Sequence, residues 1–107
     1  DETIAGTITL NEFQSPEYEE INWNLGSPIV VHRLAVHPKF QGNGIARKLM
    51  DFAEDQSKRK GYKSVRLDTY TVNQRNMKFY ENREYQYRGD VYFRSIKEPF
   101  ACFEKLL

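Results

Sequence analysis

The stretch Val30–Met50, VVHRLAVHPKFQGNGIARKLM, decides how the rest of the chain is read. Its first third is apolar and rich in β-branched residues, which suits a buried strand. Pro38 ends that strand, because it has no N–H to give to a ladder. Gln41-Gly42-Asn43-Gly44 follows as a short polar loop with two glycines. From Ile45 the pattern turns helical: Ile45, Leu49, Phe52 and Ala53 recur at helical spacing, with Arg47, Lys48, Asp51, Glu54 and Asp55 on the other face. Strand, loop and helix N-terminus therefore run directly into one another. That order aims unpaired backbone N–H groups, and the positive end of a helix dipole, at one point. Such a point suits an anion, and phosphate above all.

On the N-terminal side, Thr3–Leu10 (TIAGTITL) alternates and reads as a strand. Asn11–Tyr18 is a polar connection containing Pro16, and Glu19–Leu25 fits neither period, with Trp23 either core or pocket wall. Gly26-Ser27-Pro28 is a turn into the strand Ile29–Val36. On the C-terminal side, the helix from Ile45 ends at Lys58-Arg59-Lys60, whose charges suit its negative terminus, with Gly61 as a left-handed cap. Lys63–Tyr70 alternates as a strand with Val65, Leu67 and Thr69 on one face. Asn73–Arg83 is a shorter helix that Thr71 or Asn73 can cap. Tyr85–Ser95 and Phe100–Leu107 read as the last two strands, parted by Lys97-Glu98-Pro99. The order is β-β-α-β-α-β-β, an α/β fold with a mixed, mostly antiparallel sheet and helices on its faces.

A chain of 107 residues makes one domain, 1–107, with a modest core. Sixteen basic residues against fifteen acidic ones give a net charge of +1, so nothing argues for a nucleic-acid or membrane surface. The single cysteine, Cys102, excludes an internal disulfide and fits a reducing, cytoplasmic setting. No apolar run reaches membrane-spanning length, and no signal peptide opens the chain.

The hexapeptide Gln41-Gly42-Asn43-Gly44-Ile45-Ala46 fits the pattern Gln/Arg-x-x-Gly-x-Gly/Ala, and in this it resembles the GNAT superfamily of N-acetyltransferases. It lacks the Lys-Ser/Thr ending of a nucleotide P-loop and the third glycine of a dinucleotide fingerprint. A plain strand-to-helix loop is the competing reading, but the flanking Leu34-Ala35-Val36-His37-Pro38 and the following helix favour the resemblance. It extends further. Asn73 lies seven residues before Tyr80, and Phe79-Tyr80-Glu81 stands where that superfamily carries the same motif. Arg66–Tyr70, Gly89–Phe93 and Cys102–Lys105 also look like one branch of small acetyltransferases. Two departures stand out. Arg83-Glu84-Tyr85 replaces Leu-Gly-Phe, so Glu84 sits where glycine eases the helix exit, at a cost of about 1 kcal/mol if a left-handed conformation is kept. The chain also opens on Asp1 without the strand and two helices that usually come first, which reads as an N-terminal truncation.

The resemblance implies direct acyl transfer from acetyl-CoA to a primary amine, on a small molecule or a peptide, with no covalent enzyme intermediate and no metal. It implies a cofactor site formed by Leu34, Ala35, Val36, Gln41, Gly42, Asn43, Gly44, Ile45, Ala46, Asn73 and Tyr80. A bulge in the central strand would free backbone N–H groups at Leu34, Ala35 and Val36 to hold the cofactor arm and polarise its carbonyl. Cys102 is then a small buried hydrophobe and not a nucleophile. Tyr80 is the implied donor to the leaving thiolate; its alternative is packing under the helix. An alkylammonium of pKa ~10.4 costs about 4–5 kcal/mol to deprotonate at pH 7, so a base must help. His32 is one candidate, since imidazole changes charge near neutral pH. If the strand were regular, His32 would share a face with Val30 and Leu34, whereas a bulge would change that parity. A structural histidine is the competing reading. His37 reads as solvent-facing, and Glu12, Glu17, Glu19 and Glu20 are loop alternatives. A homodimer is a further expectation. The functional alternative is a catalytically idle domain of this fold that binds coenzyme A or a partner.

Overall fold

A computed structural model describes residues 4–24 and 26–107. Thr3, at the head of the first expected strand, and Leu25 lie outside the described residues. The elements follow the expected order: β1 (Gly6–Asn11), β2 (Pro28–Val36), α1 (Ile45–Arg59), β3 (Ser64–Tyr70), α2 (Gln74–Asn82), β4 (Gln86–Val91) and β5 (Phe100–Leu106). Two short 3-10 turns, Pro16–Glu20 and Pro38–Phe40, sit in the connections, each opened by a proline whose missing N–H costs nothing there. The five strands form one sheet in the order β1-β2-β3-β5-β4. Only β2 and β3 run parallel, which is why a helix, α1, must connect them.

The sheet is covered on both sides. Ile29, Val31, Val65, Leu67, Ala101 and Phe103 meet Met50 of α1 and Tyr80 of α2 on one face. On the other, Val30, Val91 and Cys102 pack under Tyr18 of the Pro16–Glu20 turn, with Ile21, Trp23, Phe93 and Phe100 around them. Trp23 is thus a wall of this second core: its Nε1 donates to the Tyr18 carbonyl at 3.0 Å, and the Arg66 guanidinium lies 4.6 Å from its ring centroid. Each large apolar side chain buried here contributes about 1.5–3 kcal/mol. Because β3 is covered on both faces, Ser64 and Arg66 are buried along with Val65, Leu67 and Thr69, and the alternation in Lys63–Tyr70 does not mark a solvent face.

Three expectations need correction. The buried line of α1 runs through Met50, Ala53 and Ser57, whereas Phe52 is 61% exposed, because the helix is turned so that Phe52 falls at its rim. Glu54, placed on the solvent face by its charge, is half-buried and organises a network described below. β4 stops at Val91 and does not reach Ser95: Ser95 takes a φ of 69°, and the Ile96 N–H turns back to the Phe93 carbonyl. Gly61 does adopt the left-handed conformation expected of a helix cap, with φ 91°.

Candidate active site

The central strand carries the bulge that the resemblance implies, one residue earlier than Leu34–Val36. Against β1, Thr7 faces Ala35 but Thr9 faces His32, so β2 spends one extra residue, and Arg33 sits at φ 52°. The consequence is a change of parity. Val30 points to the second core, yet Leu34 packs with the first and lines the cleft there. His32 therefore does not share the face of Leu34.

A second irregularity lies on the other edge of β2. Its parallel ladder with β3 is formed only over Pro28–Val30 against Ser64–Arg66. Beyond Val30 the two strands part, which leaves that edge of β2 with backbone groups free of ladder partners.

Against this end of β2 lies a cleft of about 740 Å³, between the strand, the start of α1 and α2. Its walls include Leu34, Ala35 and Val36 of β2, Gln41, Gly42, Gly44, Ile45 and Ala46 of the loop and first helical turn, and Asn73 and Tyr80. Of the residues expected to hold a cofactor, Asn43 alone is not part of the lining; it is exposed on the loop. The loop has the conformation its glycines permit. Gly42 has φ 86° and Gly44, the residue that caps α1, has φ 75°. A Cβ at Gly42 would meet nothing within 4 Å, so the protein itself keeps that space open. No side chain caps α1 and no acidic residue occupies its first turn, so its leading N–H groups point outward unopposed. The Gln41 amide donates to the Val36 carbonyl at 3.3 Å and ties the loop back to the strand.

Sequence reasoning missed the cations of this cleft. Arg47, Arg75 and Lys78 all line it. Their signal was available: Arg75 and Lys78 stand three apart on α2, and Arg47 lies in the first turn of α1. A cradle of open backbone amides rimmed by three cations fits a polyphosphate.

α2 positions Tyr80. Asn73 caps the helix by accepting the Asn76 N–H at 3.0 Å. Two turns later Tyr80 is 6% exposed, its ring against Phe79, Tyr85 and Phe103 at centroid distances of 5.1, 5.7 and 6.1 Å. Its hydroxyl has no hydrogen-bond partner among the described residues, and the residue lines the cleft. Burial, and then the negative charge of Asp68, push this phenol up to about 12. The helix exit explains the Arg83-Glu84-Tyr85 departure. Arg83 bonds Asp51 at 2.8 Å and Glu54 at 3.1 Å, Glu84 takes the left-handed φ of 70°, and buried Tyr85 donates to Glu54 at 2.7 Å. Lys105 closes the network on Glu54 at 3.0 Å. These contacts clamp the end of α2 to α1 and β5.

The remaining candidates lie away from the cleft lining. His32 Nε2 is 2.9 Å from Asn11 Oδ1, and its ring leans on Phe13 at 6.3 Å. Cys102 is fully buried, and burial pushes its thiol up to about 12, consistent with a packing role. Of the loop carboxylates, Glu12 accepts from Tyr62 at 2.6 Å, Glu19 and Glu20 are exposed, and Glu17 is half-buried. Sequence reasoning also overlooked Asp68. It lies on β3 on the face of the second core, half-buried, with Oδ2 accepting the Tyr18 hydroxyl at 2.6 Å. Burial raises its carboxyl above the ordinary range, against the Tyr18 hydrogen bond and His32, which lower it; Glu17 adds to the rise. Extending the Val30–Arg66 register by two residues sets His32 and Asp68 opposite each other, where the ladder has already opened.

The model of the acetyltransferase (GNAT) family matches residues 1–85. No curated protein matches the chain. Among solved structures, Ard1 from Thermoplasma volcanium superposes with a TM-score of 0.78 at 17% identity, over 96% of this chain and 63% of that one. An N-acetyltransferase from Staphylococcus aureus Mu50 gives 0.74 at 20% identity, over 95% and 60%. The NatC complex bound to Gag peptide and CoA gives 0.71 at 20%, over 95% and 59%. At these identities the likeness is one of fold. The chain spans about three fifths of the length of the structures it matches.

Proposed function

The chain belongs to the acetyltransferase (GNAT) family, and from that premise we propose that it moves an acetyl group from acetyl-CoA to a primary amine by direct attack, with both substrates bound together. The observation that carries this reading is the cleft. It joins the end of β2 beyond its ladder with β3, an uncapped helix N-terminus behind two left-handed glycines, three cations and Tyr80. These residues fit coenzyme A. The amides from Gly42 to Ala46 would hold its pyrophosphate, Arg47, Arg75 and Lys78 would neutralise its phosphates, and the unpaired edge of β2 would hold its amide-bearing arm.

When bound, acetyl-CoA supplies an acetyl thioester and a thiolate leaving group. The protein's own part begins with orientation: the Leu34–Val36 edge offers backbone N–H groups to an oxygen that gains negative charge. Tyr80 offers its hydroxyl to a sulfur that does the same. A phenol pushed up to about 12 would give a full proton to a thiolate whose acid has pKa ~8.5 only at a cost of roughly 5 kcal/mol. Tyr80 is therefore a hydrogen-bond donor to the developing charge, and its proton stays largely its own. The ammonium proton leaves toward the opposite face, where His32 and Asp68 stand on the two sides of the parting.

Calorimetry with coenzyme A, paired with free-thiol release across a panel of amines, tests the reading. Tight coenzyme A binding and amine-dependent thiol release are expected. Binding without release for any amine would mark a catalytically idle domain, and absence of binding would remove the cleft assignment.

A further inference from the structure

The face of the sheet opposite the cofactor cleft carries a feature that neither the loop nor Tyr80 uses. At the C-terminal end of β3, Asp68 and Tyr70 point to the same side as Arg66, beside Cys102 and Phe100 of β5. Asp68 spends one oxygen on Tyr18; its Oδ1 has no hydrogen bond among the described residues, although the carboxyl is half-buried. Tyr70 stacks on Phe100 at 5.0 Å, and Phe93 meets Phe100 edge-on at 5.0 Å. All three rings keep part of their surface in solvent. Glu17 adds a second negative charge near Asp68, and His32 faces it from β2. The site is next to the parting of the strands, and Tyr80 on the far side feels the charge of Asp68 through it.

We propose that this face binds the acceptor, and that the acceptor is a primary ammonium attached to an aromatic group, its nitrogen held on Asp68 Oδ1 and its ring on Tyr70, Phe100 and Phe93. The inference rests on the acetyl-transfer reading and names its substrate class. Two neighbouring carboxylates repel an anionic amine such as glutamate and attract an ammonium. The aromatic rim supplies what a small cation alone cannot use: flat apolar surface and the ring faces that favour cations. Tyr18, by fixing Oδ2, leaves one orientation for the carboxyl and so acts as a positioning residue. The same chemistry occurs in a free arylalkylamine and at the N-terminus of a peptide beginning with Phe, and the two are separated by experiment.

The test measures amine binding to the full chain saturated with coenzyme A, where no acetyl group is present to transfer. 2-Phenylethylamine should bind at least tenfold more tightly than ethylamine, and 2-phenylethanol, which keeps the ring and lacks the charge, should not compete. Asp68→Asn should weaken 2-phenylethylamine at least tenfold and leave coenzyme A affinity unchanged. Phe100→Leu should shrink the preference over ethylamine. In turnover, the Phe100→Leu defect should lie mainly in KM. A tetrapeptide beginning with Phe that binds as well as the free amine makes the peptide the source, and one that does not makes it the free amine. Equal affinity for ethylamine and 2-phenylethylamine, or competition by the alcohol, overturns the proposal without any variant. Failure of coenzyme A itself to bind would instead overturn the acetyl-transfer reading.

Discussion

The Asn73 side chain accepts the Asn76 N–H at 3.0 Å, and this one bond starts the helix that carries Tyr80 to the cleft. Asn73 also lines the cleft, so cap and cleft wall are the same residue. Asn73→Ala should lower stability by about 1 kcal/mol, the usual worth of such a cap. Asn73→Ser should restore most of that stability, since a hydroxyl caps nearly as well, while still lacking the amide. Denaturant melts of the three proteins separate the cap from the cofactor contact: a coenzyme A affinity that follows stability in both variants would leave Asn73 as a cap only.

Gly44 holds φ 75°, and a Cβ added there would find only the Arg47 guanidinium within 4 Å. Gly44→Val therefore meets strain in the backbone, and its side chain would obstruct the proposed anion position without clashing with the protein. The expected result is a stability loss of about 1–2 kcal/mol and a far larger loss of coenzyme A affinity. Gly44→Asn, whose side chain tolerates the left-handed region, should recover stability without recovering affinity. Calorimetry showing wild-type affinity for both variants would remove the loop from the site.

Tyr80→Phe keeps the packed ring and deletes a hydroxyl that has no partner among the described residues. Stability and coenzyme A affinity should barely change, while transfer falls by roughly 10- to 1,000-fold. Because burial keeps the phenol protonated up to about 12, the loss should be the same across neutral and mildly alkaline pH. Single-turnover rates check this; an unchanged rate would make Tyr80 a packing residue.

His32→Gln should leave cofactor binding intact and depress transfer chiefly at neutral pH. The deficit should shrink as pH rises toward the pKa of the acceptor, when the amine needs no base. A histidine that only braces Asn11 predicts lower thermal stability with the pH–rate profile keeping its shape. The two profiles, measured side by side, decide between them.

Asp68 predicts a pH dependence of stability. Its native carboxyl titrates above the ordinary range because it is buried, so between the unfolded and native values the folded chain binds more protons than the unfolded one. Stability therefore falls as pH rises through that window and stays reduced above it. Asp68→Asn removes the buried charge and keeps an oxygen to accept from Tyr18. The variant should melt higher than the parent near pH 7, and the gap should close below about pH 4, where an ordinary Asp is protonated. A variant that melts lower near pH 7 would show that the charge-assisted Tyr18 bond outweighs burial.

The sequence by itself determined the succession of elements, the glycine turn at Gln41–Ala46 and the places of Asn73 and Tyr80. These features are local: period, proline, glycine and capping residues act within a few positions of themselves. For Glu84 the resemblance posed only a condition, a left-handed conformation if the helix exit is kept, and the structure has it, with φ 70°. What tertiary structure decided was which side each residue serves. One extra residue at Arg33 moved His32 off the face of Leu34, and a one-residue slip reverses every side chain beyond it. Asp68 looked like one more charge in an alternating strand. It became a half-buried carboxylate only because Tyr18, fifty residues earlier, folds over it and because β2 parts from β3 beside it. Phe52 and Glu54 exchanged their expected surroundings through a small rotation of α1, which hydrophobic spacing cannot specify when a distant Arg83, Tyr85 and Lys105 converge on the same carboxylate.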